Sequence, residues 1–176
     1  MQEFLFILKK SPLFGGLKEE EIHTVLSCLS AQKSSYPKSS FILRLGEKAK
    51  SIGLLLSGRA YVMQEDFWGN RNLVTELTAG QVFAESYACT PGSTLQVSVL
   101  AEEPCDVLFL DAQRLLTLCA STCEFHIQLI RNLVSILAQK KPADERKTGP
   151  YGPAHHPPKA VVVPFGRGAA PRRGRI

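Results

Sequence analysis

Residues 52–65, IGLLLSGRAYVMQE, contain two short runs that meet at Gly58. The first, Ile52–Leu56, is almost continuously apolar, and the second, Arg59–Glu65, mixes apolar and polar residues. Short runs bounded by glycine are typical of strands in a β-rich domain, since they are too short to make stable helices. We therefore predict two strands joined by a turn at Gly58.

Similar runs recur along the chain at roughly ten-residue spacing, separated by glycine, asparagine and proline turn signals. They are Ser40–Leu45, Asn72–Leu77, Val82–Phe83, Thr94–Leu100 and Asp106–Asp111. Residues 64–71 lie between two alternating runs in the manner of a hairpin loop. About seven strands in this arrangement predict an antiparallel roll or barrel.

Helical patterns flank these strands. A short helix is predicted over Gln2–Lys9, and the spacing of Ile22, Val25, Leu26 and Leu29 predicts an amphipathic helix before the first strand. After the last strand we predict a short helix at Ala112–Cys119 and a long one at Thr122–Lys140.

The long helix carries two apolar lines. One has a spacing of four and three residues, which suits pairing with a second helix; it consists of Cys123, Ile127, Ile130, Val134 and Leu137. The other consists of Phe125, Leu129, Leu133 and Ile136. One line is expected to cover the roll and the other to meet a partner. We predict a homodimer through Ile127, Ile130, Val134 and Leu137.

The charge is distributed unevenly. Residues 142–176 hold seven of the 11 prolines, seven basic residues and two acids, so the whole net charge of +5 lies there. This composition lacks apolar periodicity, and we predict a disordered basic tail. There is no apolar stretch of about 18 residues, which predicts no membrane partner. Five scattered cysteines favour a reducing, cytoplasmic location.

The order of these elements resembles the sensor domain of the Crp/Fnr superfamily of bacterial transcription regulators. Helices lead into Leu45-Gly46-Glu47, a turn follows at Gly58, and residues 77–85, LTAGQVFAE, precede further strands and the long helix. The resemblance covers roughly residues 10–140. It implies a mainly β fold with flanking helices: an antiparallel double-stranded β-helix (jelly roll), N-terminal helices and a long C-terminal dimerisation helix.

The resemblance also implies an effector pocket. The family's phosphate-binding cassette has a Phe-Gly-Glu segment, whose Glu accepts from a ribose hydroxyl, and an Arg-Ser/Thr pair about ten residues later that neutralises the phosphate. Phe83-Ala84-Glu85 matches the first element, whereas Leu95-Gln96 stands near the second and no Lys or Arg lies between Ser86 and Leu100. We therefore predict that cyclic nucleotides bind weakly or not at all. The predicted pocket residues are Gly80, Phe83, Ala84, Glu85, Ser86, Leu95 and Gln96. Glu85 has an alternative interpretation, a structural acid at a helix N-terminus.

Other chemistry is weakly indicated. Cys119, Cys123 and His126 are read either as buried inert groups or as a redox-sensitive pair or soft-metal site. We predict no enzymatic activity, no catalytic residues, no metal and no cofactor, because no catalytic motif is present. The alternative from a different class is a cupin-like jelly roll that binds a small molecule or acts as an enzyme.

In this superfamily a helix-turn-helix domain follows the long helix. We predict three parts: a sensor roll over residues 1–120, a dimerisation helix over 121–141 and the tail over 142–176, with the DNA-reading domain missing. DNA would then be a partner only of a full-length parent. A one-base shift of the reading frame after Lys140 would explain the change in composition; a natural basic tail is the alternative.

Overall fold

The computed structural model describes residues 2–65, 71–117 and 124–140. It begins with a 3₁₀ turn at Gln2–Phe4, helix α1 at Leu5–Lys10, a second 3₁₀ turn at Pro12–Phe14 and helix α2 at Glu19–Cys28. Three glutamates occupy the first turn of α2, where their negative charges interact favourably with the helix dipole. The carboxylate of Glu21 also accepts from the backbone N–H of Lys18 at 2.7 Å, which fixes where the helix starts.

Eight strands are found in the described residues. They are β1 Gln32–Tyr36, β2 Phe41–Leu43, β3 Ser51–Ser57, β4 Ala60–Glu65, β5 Arg71–Leu77, β6 Val82–Phe83, β7 Ser98–Ala101 and β8 Cys105–Asp111. They form two four-stranded sheets, ordered β1-β8-β3-β6 and β2-β7-β4-β5, in which every pair is antiparallel. This is the predicted jelly roll, and the mainly β class with flanking helices is confirmed.

Strand β3 is buried on both faces, which explains its continuous apolar run. Because side chains alternate along a strand, Ile52, Leu54 and Leu56 point into a core shared with the helices. Leu55 points the other way, into the interior of the roll. The stretch around residues 52–57 therefore lies between two hydrophobic cores and joins them.

Three further helices are described: α3 at Glu85–Ala88, between β6 and β7, and then α4 at Ala112–Leu116 and α5 at Glu124–Gln139, both after β8. Of the two apolar lines on α5, Leu129, Leu133 and Ile136 are buried in the helix-side core. Asn132 fixes the register, since its side-chain amide donates to the carbonyl oxygens of Leu13 (2.9 Å) and Gly15 (2.8 Å).

Two strand predictions differ from the structure. The predicted strand Thr94–Leu100 is wrong at its start, because β7 begins at Ser98. Residues before it are held instead by the turn at Gly46, whose N–H donates to Leu95 O at 2.8 Å. Strand β1, QKSSY, was not predicted, since it lacks the apolar alternation that marks the other strands.

The helix boundaries differ slightly from those predicted. The short helix predicted at Ala112–Cys119 ends at Leu116, and Thr117 follows in extended conformation. Outside the described residues lie Thr122, where the long helix was predicted to start, residues 66–70 of the predicted hairpin loop 64–71, and the predicted tail 142–176. Within the described residues no helix has the length and hydropathy that a membrane span requires.

Candidate functional site

The chain makes a sharp turn immediately after β6. Ala84 has φ of 60°, in the left-handed region that residues with a side chain rarely adopt, at a cost of about 1 kcal/mol. The turn reverses the chain into α3, where the N–H of Ala88 donates to Ala84 O at 2.9 Å. A glycine would adopt this conformation without strain, so Ala84 holds a geometry typical of glycine.

Phe83 anchors this turn in the interior of the roll. Its side chain is buried, and its ring meets that of Phe109 edge-on with centroids 6.4 Å apart. It also covers Gly53 of β3, where any added Cβ would overlap the ring. The predicted pocket residue Phe83 therefore belongs to the roll core and fixes the position of the residues that follow it.

Glu85, the first residue of α3, is the buried charge of this segment, with 3% of its surface exposed. Its Oε1 lies 2.8 Å from the Nζ of Lys140, just beyond the end of α5. The same ammonium donates to the carbonyl oxygen of Val82 at 2.6 Å. The lysine that follows the last described helix thus contacts the segment at two points.

The predicted pocket residues Gly80 and Ser86 differ in exposure, since Gly80 is buried and Ser86 is exposed. Gly80 has φ of 91° and its N–H donates to Leu55 O at 2.7 Å, so it joins the turn before β6 to the core strand β3. Ser86 is exposed, and its carbonyl oxygen accepts from the hydroxyl of Thr90 at 2.7 Å. Both residues shape the backbone around Glu85.

Leu95, the residue predicted to stand near the family's arginine, has no exposed surface. Its N–H donates to Glu47 O, and its carbonyl oxygen accepts from the N–H of Gly46, both at 2.8 Å. Gln96 is exposed, and its side-chain amide turns back to the carbonyl oxygen of Thr94 at 3.4 Å. An apolar, enclosed side chain therefore stands where the resemblance requires a cation.

The electrostatic balance of the segment rests on Glu85 and Lys140. Burial raises the pKa of the Cys89 thiol, and the Glu85 carboxylate adds to this increase. The role of Lys140 was not predicted, because no local sequence signal shows which strand or turn the end of a helix meets.

The predicted dimer residues divide into two pairs. Ile127 and Val134 are exposed, with 37% and 58% of their surface accessible. Ile130 and Leu137 are half-buried and pack against the helix-side core. The line containing Leu129, Leu133 and Ile136 is the one that covers the roll.

The cysteine and histidine group is only partly described, since Cys119 and Cys123 lie outside the described residues. His126 is buried, and its Nε2–H donates to the carbonyl oxygen of Leu115 at 2.7 Å. Among residues 2–65, 71–117 and 124–140, no group of three or more His, Cys, Asp and Glu side chains is placed to hold a metal ion.

The chain is similar to two curated regulators. It is 29% identical over 72 residues to the cAMP-activated global transcriptional regulator CRP of Pasteurella multocida, covering 41% of this chain and 34% of that protein. It is 28% identical over 134 residues to the cyclic AMP receptor protein of Thermus thermophilus, covering 76% and 58%. The matches thus span less than two thirds of either relative.

The fold and the family are established by two further matches. The structure superposes on a cyclic nucleotide-binding domain from Methylobacillus flagellatus with a TM-score of 0.66, at 23% identity, over 83% of this chain and 78% of that one. Residues 33–122, which include β2–β8 and the cassette, match the cyclic nucleotide-binding domain family. The chain therefore belongs to the cyclic nucleotide-binding domain family.

Proposed function

We propose that residues 1–140 are the effector-sensing part of a Crp/Fnr-type transcription regulator, and that its effector is a small molecule other than a cyclic nucleotide. The observation that carries this proposal is the altered cassette. The turn at Ala84 and the buried Glu85 are kept, whereas the enclosed Leu95 replaces the phosphate-neutralising cation.

Charge balance supports this choice of effector. A cyclic phosphate placed beside Glu85 would bring two negative charges together in a region of low dielectric. The ammonium of Lys140 contacts this segment, but it already pairs with the Glu85 carboxylate and donates to the carbonyl oxygen of Val82. A buried phosphodiester without its own cation and donors loses more hydration than it regains in the site.

Cyclic AMP is the direct test of the effector class. Because position 95 supplies no cation, we expect calorimetry to show a Kd for cyclic AMP above about 1 mM, corresponding to less than about 4 kcal/mol of binding free energy. Micromolar affinity of the unmodified chain for cyclic AMP would overturn the proposed effector class.

Leu95→Arg provides the matched gain of function. A guanidinium at this enclosed position would lower the free energy of unfolding by about 2 kcal/mol or more without a ligand, since it is buried unpaired. Cyclic AMP would then raise the melting temperature of Leu95→Arg, while Leu95→Met, which keeps volume without charge, would not respond. Equal responses of the two variants would contradict the assigned role of position 95.

DNA binding gives a second test. We propose that this 176-residue chain does not recognise a DNA sequence, because residues 142–176 show no helical periodicity and carry seven prolines. Any binding by the basic tail is expected to be independent of sequence and to weaken at least about tenfold between 50 and 200 mM salt. Preferential binding to one sequence at about 200 mM salt, by gel shift against scrambled DNA of equal composition, would reject this part of the proposal.

Self-association completes the proposed function. The exposed Ile127 and Val134 lie seven residues apart on α5, and Ile130 and Leu137 border them with the same spacing. This heptad pattern favours a second copy of the same helix as the partner. In the resulting dimer, an effector near α3 could change how the two α5 helices meet, which would couple the effector site to the rest of a regulator.

A further inference from the structure

The contact between Lys140 and Glu85 joins parts of the chain that are 55 residues apart. Lys140 follows the last turn of α5, and its N–H donates to Ile136 O at 3.1 Å. Glu85 starts α3, which packs beside β3. The ion pair therefore connects the C-terminal end of α5 to the turn between β6 and α3.

The two partners differ in their exposure. The Glu85 side chain is 4% exposed and that of Lys140 is 46% exposed, so the lysine reaches from the surface to a buried carboxylate. A buried carboxylate without a cation is strongly unfavourable, whereas an exposed lysine loses little when it is released to water. Loss of the ion pair is therefore more unfavourable for the buried carboxylate of Glu85 than for the exposed ammonium of Lys140.

One oxygen of the Glu85 carboxylate has no hydrogen-bond partner among the described residues. In the described part of the chain, Oε2 of Glu85 is buried and has no hydrogen-bond partner. Oε1 is held by Lys140. Buried polar atoms are nearly always hydrogen-bonded, so an orphaned carboxylate oxygen marks a place where a further donor would be favourable.

We propose that Lys140 is the residue that positions the cassette in the effector-free protein: it holds Glu85 and thereby fastens the end of α5. An effector that uses Glu85 must offer its own hydrogen-bond donor, such as a hydroxyl or ammonium group, in place of the lysine ammonium. Displacement of Lys140 then releases the last turn of α5. The statement about the effector rests on the proposed sensing function, whereas the fastening of α5 does not.

Amide hydrogen exchange of the effector-free full chain tests whether the Lys140–Glu85 contact stabilises the last turn of α5. Lys140→Met removes the ammonium but keeps the length of the side chain, and Glu85→Gln imitates a carboxylate already taken by another partner. We expect the amides of residues 137–140 to exchange about five- to tenfold faster in each variant, because opening of the last turn no longer breaks an ion pair. The two effects are expected not to multiply in the double variant, since they remove the same interaction.

Three comparisons keep the result interpretable. Lys140→Arg retains a cation and is expected to restore protection to within about twofold of the wild type. Lys38→Met removes a comparable exposed lysine, paired with Glu102 at 3.7 Å, and should leave α5 unchanged. Should Glu85→Gln not fold, Lys140→Met and Lys140→Arg still decide the question.

Wild-type exchange in Lys140→Met, or multiplying effects of the two single variants, would overturn the proposal. No effector is added in this experiment. A failed search for the effector would therefore count against the proposed function alone, and unchanged exchange would count against the role of Lys140 alone.

Discussion

Val134→Glu is expected to convert a dimer into a monomer at micromolar concentration. Val134 is the most exposed large apolar side chain of α5, and its place in the heptad pattern puts it beside its own copy in a symmetric helix pair. The substitution removes apolar burial and places two like charges near each other. We expect the dimer Kd to rise at least about 100-fold, equivalent to about 2.7 kcal/mol, as measured by sedimentation equilibrium.

Ser135→Glu is the matched control, because it adds the same charge one residue away on an exposed part of α5 and should leave the dimer intact. Ile130 was also predicted to lie in the dimer interface, but Ile130→Glu is a less informative test than Val134→Glu. Ile130 packs against the helix-side core, so a glutamate there would also destabilise the monomer. A monomeric wild-type chain at micromolar concentration, or equal effects of Val134→Glu and Ser135→Glu, would reject the pairing.

The fold was predictable because its signals are local. The apolar run of β3, the short runs of β4 and β5 and the glycine turns each carry their own pattern. The polar strand β1 carries none; it forms because β8 offers an antiparallel edge from Cys105 to Phe109. Such a strand is specified by its neighbour, and periodicity along one segment cannot reveal it.

The candidate site was predictable only in part. The substitution at Leu95 is visible in the sequence, but its full burial is not, since it depends on backbone contacts with Gly46 and Glu47. The choice between the two apolar lines of α5 likewise depends on Asn132, whose amide reaches the carbonyls at Leu13 and Gly15. Lys140 belongs to the same class of long-range contact. These interactions join segments that are far apart in the chain. The spacing of residues within one segment cannot predict them.

Gly58→Ala is expected to give a large loss of stability for a substitution that adds a single methyl group. Gly58 has φ of 82°, and an added Cβ would lie 2.4 Å from the carbonyl oxygen of Pro104 and 2.9 Å from the Sγ of Cys105. Backbone at Pro104 is poorly placed to yield, because the next strand begins at Cys105 and pairs with β1 and β3. The left-handed conformation costs about 1 kcal/mol and overpacking a further 1–3 kcal/mol, so urea unfolding should show a loss of about 2–4 kcal/mol.

Gly46→Ala separates these two contributions. Gly46 has nearly the same φ, 83°, but nothing lies within 4 Å of the added Cβ, so only the conformational cost of about 1 kcal/mol applies. Equal losses at the two positions would show that the contact with Pro104 is absorbed by the backbone. A larger loss at Gly58 would establish that the turn between β3 and β4 is fixed by close backbone approach. Since β3 and β4 belong to different sheets, that turn sets how the two halves of the roll meet around the cassette.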